Sequence, residues 1–195
     1  MEQLPRSRCF GGDDPLMTDY HDTEWGTPVR DGRLLFEHLV LDGFQAGLSW
    51  RTILHKRQAF RRAFDDFDPE RIARYGRADL RRLLADPGIV RNRSKIQATI
   101  ANARAYLDLQ ASGVPFDVFL WSFCGGRVLR NRSARSWREI PTTRPESDAM
   151  STALIAHGFR FVGSTICYAF MQAVGMVDDH LVTCFRYRPL DPGVT

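Results

Sequence analysis

Between its proline and glycine breaks the chain reads almost everywhere with a helical period. Arg33 to Gly43 sets Leu34, Leu35, His38, Leu39 and Leu41 along a broad apolar face, and Ser49 to Phe64 does the same with Trp50, Ile53, Leu54 and Phe60. Pro69 suits the first turn of another helix, and Ala78 to Ala85 continues with Leu80, Leu83 and Leu84. Ser94 to Leu109 spaces Ile96, Ile100, Ala103 and Tyr106 three and four residues apart. Asp117 to Phe123 is short and strongly apolar, and Ser147 to His157 follows Pro145 with Gly158 placed to cap it. Val162 to Val177 is a mixed apolar run, too interrupted to span a membrane. Arg127 to Arg138 is polar, rich in Arg and Ser and without clear period, which reads as a surface loop; residues beyond Pro189 read as frayed. Few segments alternate as strands do, and no repeat is visible. The expectation is an all-α fold, with residues 1–195 forming a single domain of two helical lobes.

Composition narrows the setting. A chain of 195 residues buries a substantial core without covalent staples. Two of its four cysteines, Cys124 and Cys167, fall in apolar stretches, and the sequence carries no signal peptide, so a soluble protein of the reducing cytoplasm is expected. The net charge of +4 comes from 27 basic residues, nearly all Arg, against 23 acidic ones. Arginine binds phosphate through rigid paired donors, which suits a polyanionic partner, although codon bias gives the same excess.

One local unit gives that charge a place. Arg77 to Ala85 ends in Asp86-Pro87-Gly88-Ile89-Val90-Arg91-Asn92-Arg93-Ser94, and a new helix begins at once with Lys95. A tight glycine turn before a helix exposes backbone N–H groups that favour an anion. Ile89 and Val90 would anchor the turn while Arg91, Arg93 and Lys95 face outward. The pattern looks like a helix-hairpin-helix, spanning about 77–109, that grips a DNA backbone without reading its sequence. An ordinary helical hairpin with a basic rim has the same outline.

Two further blocks carry candidate chemistry. Tyr20-His21-Asp22-Thr23-Glu24-Trp25-Gly26 and Asp42-Gly43-Phe44-Gln45-Ala46-Gly47-Leu48-Ser49-Trp50 mix aromatics, carboxylates and glycines, as suits a pocket that stacks a flat ring and hydrogen-bonds its edge. Any one tryptophan here is equally at home in a core. Asp42 sits at the end of an apolar helix face, where an unpaired carboxylate is costly, so it either caps the turn at Gly43 or serves the pocket. Cys9 and His21 near the start, with His180 and Cys184 near the finish, make a Cys2His2 set able to close one tetrahedral zinc site. The four-residue spacing of His180 and Cys184 would put both on one helix face. Spacing alone leaves open whether they bind metal or are buried cysteines and surface histidines.

Taken together, the blocks Tyr20-His-Asp-Thr-Glu-Trp-Gly26, Gln45-Ala-Gly-Leu-Ser-Trp50, Asp86-Pro-Gly-Ile-Val-Arg-Asn-Arg-Ser-Lys-Ile96, Ile100-Ala-Asn-Ala-Arg-Ala-Tyr106, Phe161-Val-Gly-Ser-Thr-Ile-Cys-Tyr-Ala-Phe-Met171 and His180-Leu-Val-Thr-Cys184 resemble the bacterial 3-methyladenine DNA glycosylase I (Tag) family, from about Cys9 to Tyr187. The resemblance implies an all-α helix-hairpin-helix glycosylase whose single structural zinc, held by Cys9, His21, His180 and Cys184, joins the N- and C-terminal segments. It implies a monofunctional enzyme that removes 3-methyladenine from alkylated double-stranded DNA, acting as a monomer in base excision repair. The extruded base would stack on Trp50, with Tyr20 and Trp25 helping to form the pocket. Gly47 and Leu48 would approach the gap left in the duplex, and Gly88, Val90, Arg91, Arg93 and Lys95 would hold phosphates.

The chain departs from the family pattern near that pocket. Asp42 stands where the family carries its base-contacting glutamate, so its carboxyl would fall about 1.5 Å short. Met17 replaces a tyrosine, and Phe10 follows Cys9 where Gly-Trp is usual. These changes leave an alternative: a protein that binds damaged or distorted DNA with weak catalysis, or catalysis redirected to another alkylated purine.

Overall fold

The computed structural model describes residues 7–130 and 134–188. It is mostly helical, and the reason is visible at the helix starts. Asp14, Asp31, Ser49, Asp68 and Asn92 each accept a backbone N–H from the first turn that follows, capping α1 (Pro15–Asp19), α2 (Gly32–Gln45), α3 (Trp50–Ala63), α4 (Pro69–Ala73) and, after α5 (Arg77–Ala85), where Asp79 accepts the Gly76 N–H, α6 (Arg93–Ala111). Then come α7 (Phe116–Ser122), α8 (Pro145–Ala156) and α9 (Ser164–Ala173). No described helix is long and apolar enough to cross a membrane.

Several sequence expectations need correcting. The fold is not purely helical: β1 (Leu129–Arg130) pairs in parallel with β2 (Val177–Asp178). Val29, just past the Tyr20 block, meanwhile donates its N–H to Val174 O, beyond α9. The expected loop at Arg127 to Arg138 therefore contains β1 and a 3-10 turn, Trp137–Glu139; residues 131–133 of it, and those beyond 188, lie outside the described residues. His180 and Cys184 are not on a helix. They sit in turns after β2, where Cys184 forms an isolated bridge with Ser7. The sequence pattern also missed α1 and the π-helical turn Tyr20–Glu24 that continues it.

α2 is the central element. Every residue from Leu35 to Phe44 is buried, including Glu37, His38 and Asp42, because α3, α6, α7 and α9 pack around it. A helix enclosed on all sides must find partners for its polar groups. Glu37 has one in Arg61, at 2.8 Å; His38 Nδ1 and Asp42 Oδ2 have none among the described residues. Phe44 turns into the main core against Phe60 and Phe64. A smaller apolar cluster of Tyr20, Trp25 and Leu54 lies beside that core, and Trp50 packs against both.

Candidate active site

Where the two clusters meet, a cavity of about 200 Å³ opens to solvent, lined by Phe10, Met17, Tyr20, Trp25, Asp42, Gln45, Trp50, Trp137, Ala169, Gln172 and Ala173. Local structure explains how distant residues converge here. The capped start of α3 presents Trp50, α2 delivers Asp42 from beneath, and the π-turn carries Tyr20. The ring centroids of Tyr20 and Trp50 lie 5.3 Å apart, and Phe10 meets Trp25 edge-on at 5.2 Å. Trp25 is fixed further by Gly26, whose N–H donates to Gln172 O. Gly26 has φ +73°, and a Cβ there would lie 2.8 Å from His180 Cε1, so only glycine lets these segments approach.

The pocket is largely aromatic, with one acid in it. Asp42 is 2% exposed, and desolvation holds its carboxyl well above the usual carboxylate range. Tyr20 is pushed up in turn, first by burial and then by the nearby Asp42. Asp42 Oδ2 and Trp50 Nε1 are both buried without a partner. Unpaired polar atoms on residues that line a roomy aromatic cleft are what a ligand with its own donors and acceptors would satisfy. Tyr20, Trp25, Asp42, Trp50 and Met17 are thus brought together. Sequence reasoning missed Trp137, Gln45 and Gln172 as lining residues; Trp137 donates its indole N–H to Cys9 O at 3.1 Å, a contact no local pattern signals.

Beside the pocket runs the segment after α2. Gly47 has φ +76° and Leu48 is 42% exposed, an apolar side chain held out in solvent. The hairpin between α5 and α6 is close-knit. Gly88 donates its N–H to Asp86 Oδ1 at 2.7 Å, and Lys56 Nζ reaches the carbonyls of Pro87 and Gly88 at 3.1 Å. Gly88 therefore has no N–H to spare for an anion, contrary to the sequence expectation. Arg91 and Arg93 are exposed, as expected, and Val90 is half-buried. Lys95 is the clear miss: its side chain is buried, with Nζ donating to Phe44 O at 2.8 Å and Ala46 O at 2.5 Å. The third residue of a helix can point back beneath the preceding turn, and Lys95 does so.

On the far side of Trp25 the Cys/His residues gather. Donor atoms of Cys9, His21 and Cys184 all lie within 4.8 Å of one another. His180, the fourth residue of the expected set, lies outside that group of three and stands edge-on to His21, ring centroids 5.2 Å apart. Each imidazole is oriented through Nδ1 by a carboxylate, His21 by Asp22 at 2.8 Å and His180 by Asp178 at 2.7 Å, and His180 Nε2 is left buried and unpartnered. Both thiols receive backbone N–H groups, from Leu181 at 3.3 Å and Arg186 at 3.4 Å. Desolvation lowers the pKa of His21, keeping it neutral as a ligand must be. Carboxylate-oriented imidazoles and N–H groups aimed at sulfur are the usual surroundings of a bound metal ion, which Cys9, His21 and Cys184 could hold.

Comparison with known proteins agrees with this geometry. Residues 10–187 match the family model of methyladenine glycosylases. DNA-3-methyladenine glycosylase 1 of Escherichia coli K12 is 51% identical over 181 residues, covering 92% of this chain and 96% of that protein. A crystal structure of 3-methyladenine DNA glycosylase I superposes with a TM-score of 0.91 at 50% identity, covering 93% of this chain and all of the other. A variant of a 3-methyladenine DNA glycosylase I, crystallised in complex with 3-methyladenine, superposes with a TM-score of 0.86 at 36% identity, covering 95% and 97%. With its helical frame, aromatic pocket and end-to-end match in agreement, the chain belongs to the methyladenine glycosylase family.

Proposed function

We infer that this protein is a DNA-3-methyladenine glycosylase, an N-glycosyl hydrolase that removes 3-methyladenine from alkylated duplex DNA in base excision repair. The observation that carries the reading is the aromatic cavity with Asp42 buried and unpartnered in its wall, within a chain of this family. N3-alkylation leaves the base cationic while still attached to the sugar, so it is already a good leaving group and needs modest help. The extruded ring stacks on Trp50, with Tyr20, Trp25, Met17, Phe10 and Trp137 walling it. Asp42, kept protonated by burial, accepts from the exocyclic amine through its carbonyl oxygen and donates its O–H to the adjacent ring nitrogen. The second bond strengthens as the glycosidic electrons flow into the ring, so it stabilises the transition state more than the ground state. A carboxyl one methylene shorter than glutamate still fits this role if the base sits deeper.

The single domain works as a monomer in the cytoplasm. Gly47 and Leu48 enter the gap in the duplex, supported by the exposure of Leu48, and the helix-hairpin-helix holds phosphates through Arg91, Arg93 and the backbone at Val90. Lysine does not form a Schiff base here. The chain's two lysines, Lys56 and Lys95, are both bound to backbone carbonyls and neither lines the cavity, which supports a monofunctional enzyme that leaves an abasic site. Cys9, His21, His180 and Cys184 hold one structural zinc; when bound, it cross-links the two ends of the chain and supplies no open position to substrate.

The test is chromatographic release of free bases from methylated duplex DNA, by wild type beside Asp42→Leu. Removing both hydrogen-bonding atoms at constant bulk should slow 3-methyladenine release roughly a hundredfold, the scale of one lost transition-state contact, with duplex affinity nearly unchanged. Equal rates would take Asp42 out of the chemistry. A wild type that binds duplex yet frees no base would be a damage-binding module.

A further inference from the structure

Lys95 lies in the first turn of α6, the helix that follows the hairpin, yet its side chain belongs to another part of the molecule. It is 7% exposed, and Nζ donates to Phe44 O at 2.8 Å and Ala46 O at 2.5 Å. The last carbonyls of a helix have no partner within it, and the aligned peptide dipoles leave that end negative, so an ammonium there satisfies both demands. Phe44 is two residues beyond Asp42; Ala46 immediately precedes Gly47 and Leu48. No carboxylate among the described residues pairs with Lys95, and burial lowers its proton affinity. The charge is therefore spent mainly on the carbonyls, with the Phe161 ring 6.0 Å from Nζ. Four residues earlier, Arg91 stands exposed on the hairpin.

We propose that Lys95 is a positioning residue, tying the end of α2 and the Ala46–Leu48 loop to the hairpin, so that phosphate grip and base extrusion act as one rigid body. The proposal rests on the glycosylase reading above. Its main chain belongs to the element that holds the DNA backbone, and its amino group fixes the segment that enters the duplex. Losing that amino group strands two carbonyls and frees the loop, while the pocket's own walls and the exposed arginines stay in place.

Lys95→Met separates this role from the phosphate contact that the sequence suggests. Expected are single-turnover 3-methyladenine release at least about tenfold slower and a matching loss of extrusion, read from 2-aminopurine fluorescence beside an abasic-site analogue. Affinity for free 3-methyladenine should stay within about twofold, and the slope of log affinity against log salt should not change. A slope smaller by about one would mean that Lys95 binds a phosphate, and would overturn the proposal. Wild-type release and extrusion would overturn it too, as would free-base affinity falling in step with release. Lys95→Gln, which keeps an uncharged donor, carries the same measurements if Lys95→Met does not fold. Coupling gives an independent check: Lys95→Met and Leu48→Ala combined should be no slower than the worse single variant, whereas multiplied effects would separate Lys95 from the loop. If wild type itself releases no base, the glycosylase reading fails; if it does and Lys95→Met matches it, only this proposal fails.

Discussion

The base pocket and the Cys/His clamp share a signature, a buried polar atom with no partner, and differ in everything around it. In the clamp the orphan is His180 Nε2, and its neighbours are already committed: Asp178 and Asp22 hold the imidazoles, and the N–H groups of Leu181 and Arg186 point at the sulfurs. What remains is a small space converging on donors of one sign, which suits a compact cation. In the pocket the orphans are Asp42 Oδ2 and Trp50 Nε1, an acid and a donor, opening onto about 200 Å³ between aromatic walls. That space suits a flat molecule with its own donors and acceptors. An unpaired atom says that something is missing; the shape and commitment of its surroundings say what.

Breaking the clamp should have the largest effect. On the proposed zinc site, Cys184→Ser replaces a soft ligand whose sulfur receives the Arg186 N–H where the two ends of the chain meet. Bound zinc should fall from one equivalent to near zero. The unfolding temperature should drop by more than about 10 °C, since each kcal/mol moves it roughly 2–4 °C in a chain of this size. Metal analysis beside calorimetry checks both, and a metal-free wild type with unchanged stability would abolish the site and the contrast with it.

The pocket should respond differently, losing ligand rather than fold. Trp50 is half-buried at the first turn of α3, so Trp50→Ala removes the stacking face while the core cluster beneath it persists. Stacking on an aromatic is worth about 1–3 kcal/mol per base, which predicts a tenfold to hundredfold weaker grip on free 3-methyladenine by titration calorimetry. Unaltered affinity would show that Trp50 is core and that the base lies elsewhere.

How far each region was legible in the sequence follows from how it is built. Helices such as α2, α3 and α6 announce themselves through local apolar spacing, so the frame could be read to within a few residues. The Cys/His quartet was visible as a candidate set because its residue types suit a metal, but its geometry was not: turns and a single bridge, not a helix, present His180 and Cys184. Trp137 and Gln172 reach the pocket from elements whose pattern says nothing of their destination. Lys95 was misjudged because a basic residue beside a hairpin looks like a phosphate ligand until the carbonyls of Phe44 and Ala46, far away in sequence, take its charge.

The smallest effect is also the sharpest comparison, because it asks the pocket orphan what protonation state it keeps. Burial raises the folded pKa of Asp42 above its ordinary value of 3.8. The folded state then holds that proton more tightly than the unfolded chain does. The stabilisation is complete below about 3.8 and is lost as pH rises through the folded value. Across that window wild type should lose about 1.4 kcal/mol per pH unit relative to Asp42→Asn, which has no proton to lose and keeps both hydrogen-bonding atoms. Unfolding temperatures measured from acid to neutral pH should therefore diverge in favour of the variant, by roughly 3–5 °C per unit, and run parallel once the folded carboxyl ionises. Parallel curves from the start would mean that Asp42 is ionised and paired in the folded protein. The pocket would then hold a fixed charge, as the clamp does, and the hydrogen-bonding role given to its neutral acid would fall.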